Sequence, residues 1–284
     1  MERGLVETRS RAQALVLAED LNGLGLVTAG AGDLPGAAAR FAAATAIARR
    51  AGREGRKALA EGLNNEGWLA RRQSRPDVAQ ARFEESLRLN RELLGDDHPE
   101  TVRVRSNLAT VLFEEGNLEG AAGVFRDILE VRRRVLGPDH PDIARALNSL
   151  GVVQEKRGDL AAARASFAES LAMSRRLSPP QERLAAIALD GLAAIARREG
   201  DLAAAESAFA ESCTLFERHL GDAPQSFAYA MEGLAAVRRD RGNLPAAIAG
   251  LKQGIDRLAA LGGTEAQVAS ARELLAALES QKIR

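Results

Sequence analysis

The chain has 284 residues, 46% of them hydrophobic but only 4% aromatic, and its 39 basic residues balance its 39 acidic ones. A formal charge of zero gives no long-range attraction to nucleic acid or to an anionic membrane, so we expect neither as a partner. The single cysteine excludes an intramolecular disulfide, and no apolar run reaches the roughly 18 residues of a membrane span. We therefore expect a soluble, cytoplasmic protein.

A pattern with a step of 42 residues runs along the chain. Its most regular element is a large apolar side chain that follows an alanine by four residues. The large side chains are Phe41, Phe83, Phe125, Phe167, Phe209 and Leu251. This spacing places both residues on one face of a helix, where the alanine lets a neighbouring helix approach closely. The pattern predicts the second helix of each of six units.

A turn signal precedes each of these helices. In five units a glycine is followed by Asp or Asn, and in the second unit Ser74-Arg75 stands there instead. Glycine adopts the left-handed conformation that ends a helix, and Asp or Asn caps the start of the next one. The five regular pairs are Gly32-Asp33, Gly116-Asn117, Gly158-Asp159, Gly200-Asp201 and Gly242-Asn243.

The helix before each turn carries an apolar stripe, exemplified by Leu24 and Val27 in the first unit and Leu150 and Val153 in the fourth. This i, i+3 spacing predicts a buried helical face. Glu66 and Arg105 interrupt the stripe. Between units, Leu94-Gly95-Asp96-Asp97-His98-Pro99 and Leu136-Gly137-Pro138-Asp139-His140-Pro141 predict a helix end followed by a helix start, with the histidines in capping positions.

These features resemble the tetratricopeptide repeat, and the 42-residue step with its Leu-Gly-x-Asp-His-Pro connector resembles the kinesin-light-chain variant of that family. The resemblance implies an all-α fold, a right-handed superhelical α-solenoid of six helix-turn-helix units over residues 16–263. Residues 1–15 are expected to extend the first helix. Residues 264–284 are expected to form a C-terminal capping helix and tail.

In such a solenoid the first helices line a concave groove that holds a partner polypeptide. The candidate peptide-binding residues are Asn22, Asn64, Asn65, Trp68, Arg71, Arg103, Ser106, Asn107, Thr110, Arg145, Asn148, Glu155, Asp190, Arg197, Tyr229 and Glu232. Amide side chains donate and accept hydrogen bonds, so they suit a peptide backbone, and arginines suit acidic residues of the partner. Alternatively, each Asn bonds a neighbouring helix, each Arg is a solvated surface charge, and Trp68 is buried between units.

No phosphate-binding loop, HExxH or serine-elbow motif occurs, and Cys213 occupies a position that holds leucine in other units, so we expect no enzyme, cofactor or metal. The first functional hypothesis is a scaffold or adaptor that binds an extended segment of a protein partner. The alternative is a sensor in a bacterial regulatory system, which binds a signalling peptide or small ligand to switch an effector. A third option is homo-oligomerisation through the terminal repeats.

Overall fold

The computed structural model describes the backbone of residues 2–219, 224–260 and 265–282, and the side chains of 12–219, 224–260 and 268–281. Within these ranges the secondary structure is helical, without strands. The helices are α1 (Glu2–Gly30), α2 (Leu34–Arg50), α3 (Arg56–Arg72), α4 (Pro76–Leu94), α5 (Pro99–Glu114), α6 (Leu118–Leu136), α7 (Pro141–Arg157), α8 (Leu160–Arg176), α9 (Glu182–Glu199), α10 (Leu202–Glu217), α11 (Pro224–Asp240), α12 (Leu244–Ala260) and α13 (Glu265–Lys282).

The helices form two compact units, an N-terminal unit of Met1–Val131 and a C-terminal unit of Arg132–Arg284. In the N-terminal unit α1 pairs with α2 and α3 pairs with α4, while α3 and α5 each pack on the preceding pair. In the C-terminal unit α7, α9 and α11 pair with α8, α10 and α12, and α13 packs on α11 and α12. The expected all-α helical-repeat solenoid is confirmed.

The second helices of the six repeats begin 42 residues apart, from α2 at Leu34 to α12 at Leu244. Each follows a residue in the left-handed region, and Ser74 adopts this conformation too, with φ of 55°. Capping follows the prediction in four of the five regular units: Asp33 Oδ1 accepts a hydrogen bond from Gly36 N at 2.8 Å, and Asn117, Asp201 and Asn243 cap their helices in the same way. Asp159 makes no side-chain capping bond, so the prediction is wrong for the fourth unit. The turn residues therefore set where each second helix starts.

The connector histidines cap first helices. His98 Nδ1 accepts from Glu100 N at 3.2 Å at the start of α5, and His140 Nδ1 accepts from Asp142 N at 3.1 Å at the start of α7. An imidazole nitrogen here replaces the usual Asp or Ser oxygen and satisfies one of the free N–H groups of the first turn. The predicted capping role is confirmed.

The core of each of the first five repeats contains a phenylalanine set among small residues, and the sixth has Leu251 in its place. Phe41, Phe83 and Phe167 are at most 1% exposed, and the alanines four positions before them are fully buried. The two polar interruptions of the apolar stripe are satisfied locally. Glu66 accepts from Thr45 Oγ1 at 2.6 Å, and Arg105 pairs with Asp127 at 3.3 Å.

Leu24 and Val27 depart from the predicted buried stripe. They are 54% and 71% exposed, whereas Val111, at the position that corresponds to Val27 in the third repeat, is fully buried. Val111 packs in one cluster with Phe83 of the repeat before it. The preceding repeat covers this face in the third repeat, whereas the same face of α1 is exposed, so the prediction of burial is wrong for the first repeat.

At the other end of the chain, α13 covers the sixth repeat. Val268, Ala271 and Leu278 are buried in the same cluster as Leu251 and Leu258 of α12. Leu274 and Leu275 are half-buried against this cluster. The apolar face of α13 therefore closes the last helix pair, as a capping helix should.

Candidate peptide-binding grooves

Two columns of side chains run across the first helices, one residue apart in sequence. The contact column consists of residues 22, 64, 106, 148, 190 and 232, and the groove column of residues 23, 65, 107, 149, 191 and 233. Successive helical residues are about 100° apart around the axis, so the two columns face different directions. The geometry of each unit decides which column is open.

In the N-terminal unit the first helices border the N-terminal groove, which has a cavity volume of 760 Å³. Its lining comes from α1, α3, the end of α4, the connector after α4, and α5. The lining residues are Leu26, Lys57, Glu61, Asn64, Asn65, Trp68, Asn90, Leu94, His98, Glu100, Arg103 and Asn107. Five of the sequence-predicted residues thus meet here: Asn64, Asn65, Trp68, Arg103 and Asn107.

The amides of this groove form a partly satisfied set. Asn107 Nδ2 donates to Asn64 Oδ1 at 2.8 Å, and Asn64 Nδ2 donates to Asn65 Oδ1 at 3.5 Å. Asn65 Nδ2 is buried and has no hydrogen-bond partner. An unsatisfied buried donor costs about 1–3 kcal/mol, so a carbonyl placed in the groove beside Asn65 would be stabilised.

Apolar and charged groups surround the amides. The Arg72 guanidinium lies 5.1 Å from the centre of the Trp68 ring, which keeps this half-buried indole in a cation–π contact. Leu26 and Leu94 are 46% and 38% exposed. Burial raises the pKa of Glu61, and the positive charge of Arg103 opposes this shift. The groove therefore offers apolar surface next to polar groups that are held in place.

In the C-terminal unit α9, α11 and α13 border the C-terminal groove, with a cavity volume of 550 Å³. Three predicted residues line it: Arg197, Tyr229 and Glu232. Arg197 Nε donates to Asp240 at 2.7 Å, so its charge is already balanced. Tyr229 is 55% exposed, and burial of part of its ring still raises the pKa of the phenol. Burial also raises the pKa of Glu232.

Three predicted residues of the contact column lie between helices and not in a groove. Asn22 is fully buried, and its Nδ2 donates to the carbonyl of Ala58 in the next repeat at 3.5 Å. Asn148 is 4% exposed and donates likewise to Leu184 at 2.9 Å, while Asp190 is 7% exposed. For these three the placement on an open concave face is wrong, because adjacent first helices close over the column.

Five more predicted residues lie outside both grooves. Ser106 and Thr110 are half-buried, and each donates its hydroxyl proton to a carbonyl four residues earlier in α5, at 2.9 Å. The charged ones have partners within their own units: Arg71 with Glu114 at 3.8 Å, Arg145 with Asp142 at 2.6 Å, and Glu155 with Arg198 at 3.6 Å. Arg103, inside the N-terminal groove, also has a partner, with its Nε 3.0 Å from Glu100.

Residues 71–131 and 102–176 match the family model of the tetratricopeptide repeat. Residues 71–176 therefore consist of tetratricopeptide repeats. The 42-residue step extends this pattern in both directions, from the turn at Gly32 to that at Gly242. No curated protein sequence matches the chain.

Solved structures share the fold of this chain at low sequence identity. The quorum sensor NprR from B. thuringiensis, in its apo form, is 15% identical with a TM-score of 0.73, over 96% of this chain and 74% of that one. BtubC (BKLC) from P. vanneervenii is 19% identical with a TM-score of 0.65, over 80% and 92%. A Rap protein complexed with competence and sporulation factor is 16% identical with a TM-score of 0.61, over 94% and 76%.

Several groove residues were not predicted from the sequence. Leu26, Asn90 and Leu94 line the N-terminal groove and Leu274 lines the C-terminal one. Leu26 could have been found, since it corresponds to Trp68 one repeat earlier. Asn90 and Leu94 belong to α4, which is a second helix. They line the groove because α4 is long enough for its C-terminal end to border it.

Neither a metal site nor a membrane span occurs in the described part of the chain. It contains no group of three or more His, Cys, Asp or Glu side chains placed to hold a metal ion. None of the helices there combines the length and the hydropathy needed to cross a membrane. Burial raises the pKa of the Cys213 thiol to about 12, so this side chain is a protonated core group at neutral pH.

Proposed function

We propose that this tetratricopeptide-repeat protein is an interaction scaffold that binds an extended segment of a protein partner in the N-terminal groove, without catalysing a reaction. The observation that carries the proposal is the side chain of Asn65, a residue that lines the groove and whose buried Nδ2 has no hydrogen-bond partner. A backbone carbonyl of the guest segment satisfies this donor whatever the guest's sequence. The neighbouring amide of Asn107 is already held in position by Asn64.

The surfaces beside the amides suggest which segment fits. Leu26 and Leu94 expose apolar area next to Trp68, so the guest needs at least one large apolar side chain there. Acidic residues of the guest are expected beside Lys57 and Arg103. Arg103 already pairs with Glu100, so an acidic guest residue would only replace the Glu100 carboxylate at this guanidinium. We therefore expect the acidic residue to contribute less to the binding free energy than the apolar contact.

A matched pair of leucines tests the groove. Leu94 lines it and is 38% exposed, whereas its neighbour Leu93 is 39% exposed and is not part of the lining. Peptides selected from a displayed random library against the wild-type chain should bind Leu94→Asp at least about tenfold more weakly, the effect of roughly 1.4 kcal/mol. Binding to Leu93→Asp should be unchanged, as measured by titration calorimetry.

A second variant tests the amide. Asn65→Ala removes the unpaired donor, so it should weaken the same peptides while leaving the thermal unfolding midpoint nearly unchanged. Equal affinities for wild type, Leu94→Asp and Leu93→Asp, or the selection of no peptide at all, would exclude this groove as the binding site.

A sensor is the second candidate function. The likeness to the quorum sensor NprR and to a Rap protein complexed with competence and sporulation factor supports it. In this case the guest is a short signalling molecule, the setting is the bacterial cytoplasm, and binding changes the packing of the repeats. Small-angle scattering with and without a selected peptide separates the two: a sensor changes its radius of gyration on binding, and a rigid scaffold does not.

We also propose self-association through the first repeat. Leu17, Leu24 and Val27 are at least 50% exposed on one face of α1, whereas Leu69 and Val111, which correspond to Val27 in the second and third repeats, are buried in clusters with the phenylalanine of the repeat before. Sedimentation velocity over a concentration series should show a dimer for the wild type and a monomer for Leu24→Glu. Val135→Glu, at a similarly exposed valine of α6, should behave as wild type. A monomer at all concentrations would rule this out.

A further inference from the structure

At two positions of the contact column an asparagine joins its first helix to the backbone of the next one. Asn22 donates to the carbonyl 36 residues later, at Ala58, and Asn148 donates to the carbonyl 36 residues later, at Leu184. The two bonds have the same register, although they lie in different units. The bond that Asn148 makes is the better formed of the two, at 2.9 Å.

Asp190 holds the same position in the fifth repeat, and a carboxylate there lacks the N–H groups that asparagine uses. The residue 36 positions later is Ser226, in the first turn of α11. Asp190 is 7% exposed, and its Oδ1 is buried without a hydrogen-bond partner. When ionised, this side chain can only accept hydrogen bonds, and a backbone carbonyl cannot donate one.

We infer that Asp190 is a proton-operated contact between α9 and α11: the protonated carboxyl donates to the Ser226 carbonyl as Asn148 donates to Leu184, and the ionised carboxylate releases it. This inference goes beyond the proposed function, since it requires no guest in either groove. One proton moves between Asp190 and solvent, and one hydrogen bond forms or breaks with it.

Few ionisable groups surround Asp190. From α10 the Ser212 hydroxyl and the Cys213 thiol face it, and from α11 the Tyr229 phenol does. Among the described residues of α7 and α8, none contributes to its pKa. Burial raises that pKa to about 7, and the hydrogen bond of Ser212 opposes the shift. The proton is therefore released near neutral pH, where the thiol and the phenol remain neutral.

The sign of the effect on stability follows from these pKa values. The folded chain holds the proton up to about pH 7, whereas the unfolded chain loses it near its ordinary value of 3.8. Between these two values the folded state binds more protons, so raising the pH lowers the stability of the fold. The unfolding equilibrium constant should rise by up to about tenfold per pH unit in this window and level off above it.

Two reciprocal variants of the full chain test the inference. Asp190→Asn restores the amide that the column uses elsewhere, and Asn148→Asp places a second carboxyl in the column. Unfolding by urea is measured from pH 5 to pH 8.5 for all three proteins. The loss of stability with rising pH should be absent in Asp190→Asn and roughly doubled in Asn148→Asp. All ionisable groups other than residues 148 and 190 are the same in the three proteins, so their contributions cancel in the comparison.

Wild type and Asp190→Asn with the same pH profile would overturn the inference, as would a variant Asp190→Asn that is less stable than wild type at pH 8. A measurement on the wild type alone is independent of both variants. The carboxyl carbon of Asp190, followed by NMR, should titrate near pH 7, and a midpoint near pH 4 would also overturn the proposal.

Discussion

A close contact in the C-terminal unit, between Gly191 and Phe167, predicts an unusual response to a conservative change, Gly191→Ala. A Cβ added at Gly191 would lie 2.4 Å from Cε2 and from Cζ of Phe167. The ring cannot move away, because it is fully buried and because a Cβ at Gly151, on its other edge, would already lie 2.8 Å from Cε1. Phe167 is thus held between two glycines of adjacent first helices.

Two effects of known size oppose each other in Gly191→Ala. Alanine gains about 0.8–1 kcal/mol of helix propensity over glycine, and overpacking a filled core costs about 1–3 kcal/mol. Since the ring is blocked on both sides, we take the upper part of the second range and expect a net loss of about 1–2 kcal/mol. The free energy of unfolding is measured by urea titration at a fixed pH.

Removing the ring should reverse the sign. In a Phe167→Leu background the same Gly191→Ala change no longer overpacks, so it should be neutral or stabilising by up to about 1 kcal/mol, although Phe167→Leu itself is destabilising. The matched control is Gly23→Ala, where no atom lies within 4 Å of the added Cβ and only the helix-propensity gain remains. Equal effects of Gly191→Ala with and without the Phe167 ring would refute this description of the contact.

Two further changes should stabilise the chain. Ser74→Gly relieves a side chain held at φ of 55°, where the corresponding residue of the other repeats is glycine, and should raise the free energy of unfolding by about 1 kcal/mol in a urea titration; a decrease would contradict the left-handed geometry of this turn. Cys213→Leu introduces the residue found at the corresponding position 171, and the larger side chain fills part of a 230 Å³ cavity between α10, α11 and α12. The thermal unfolding midpoint should therefore rise, and a fall would mean that the cavity cannot accommodate leucine.

Much of the fold could be predicted from the sequence because it depends on local signals that recur with a fixed step. Each second helix begins where glycine and a capping residue place it, and Ser74 adopts the left-handed conformation of the glycines it replaces. The prediction was wrong for Leu24 and Val27, because their burial depends on a neighbouring repeat and not on their own helix. A stripe of helical period predicts which face is apolar, but not whether something covers it.

The site was harder to predict, since adjacent residues on a helix differ by about 100° in direction and the two candidate columns are adjacent in sequence. Asn148 of the contact column is buried between first helices, whereas Asn107 of the groove column lines the N-terminal groove. Only the packing of one first helix on the next produces this difference. Ion pairs are equally hidden from the sequence, because Arg197 and Asp240 lie 43 residues apart. The net charge of the groove surface therefore depends on ion pairs that cannot be identified from the sequence.

The same two columns explain why similar substitutions have different consequences along this chain. In the groove column, glycine at position 191 makes room for Phe167, and glycine at position 233 makes room for Phe209 in the same way. In the contact column, Asn and Asp have nearly the same shape, but only Asn carries a donor at every pH. A replacement that preserves packing can thus turn a permanent hydrogen bond between repeats into one that depends on a proton, which is why Asp190 is conspicuous only beside Asn22 and Asn148.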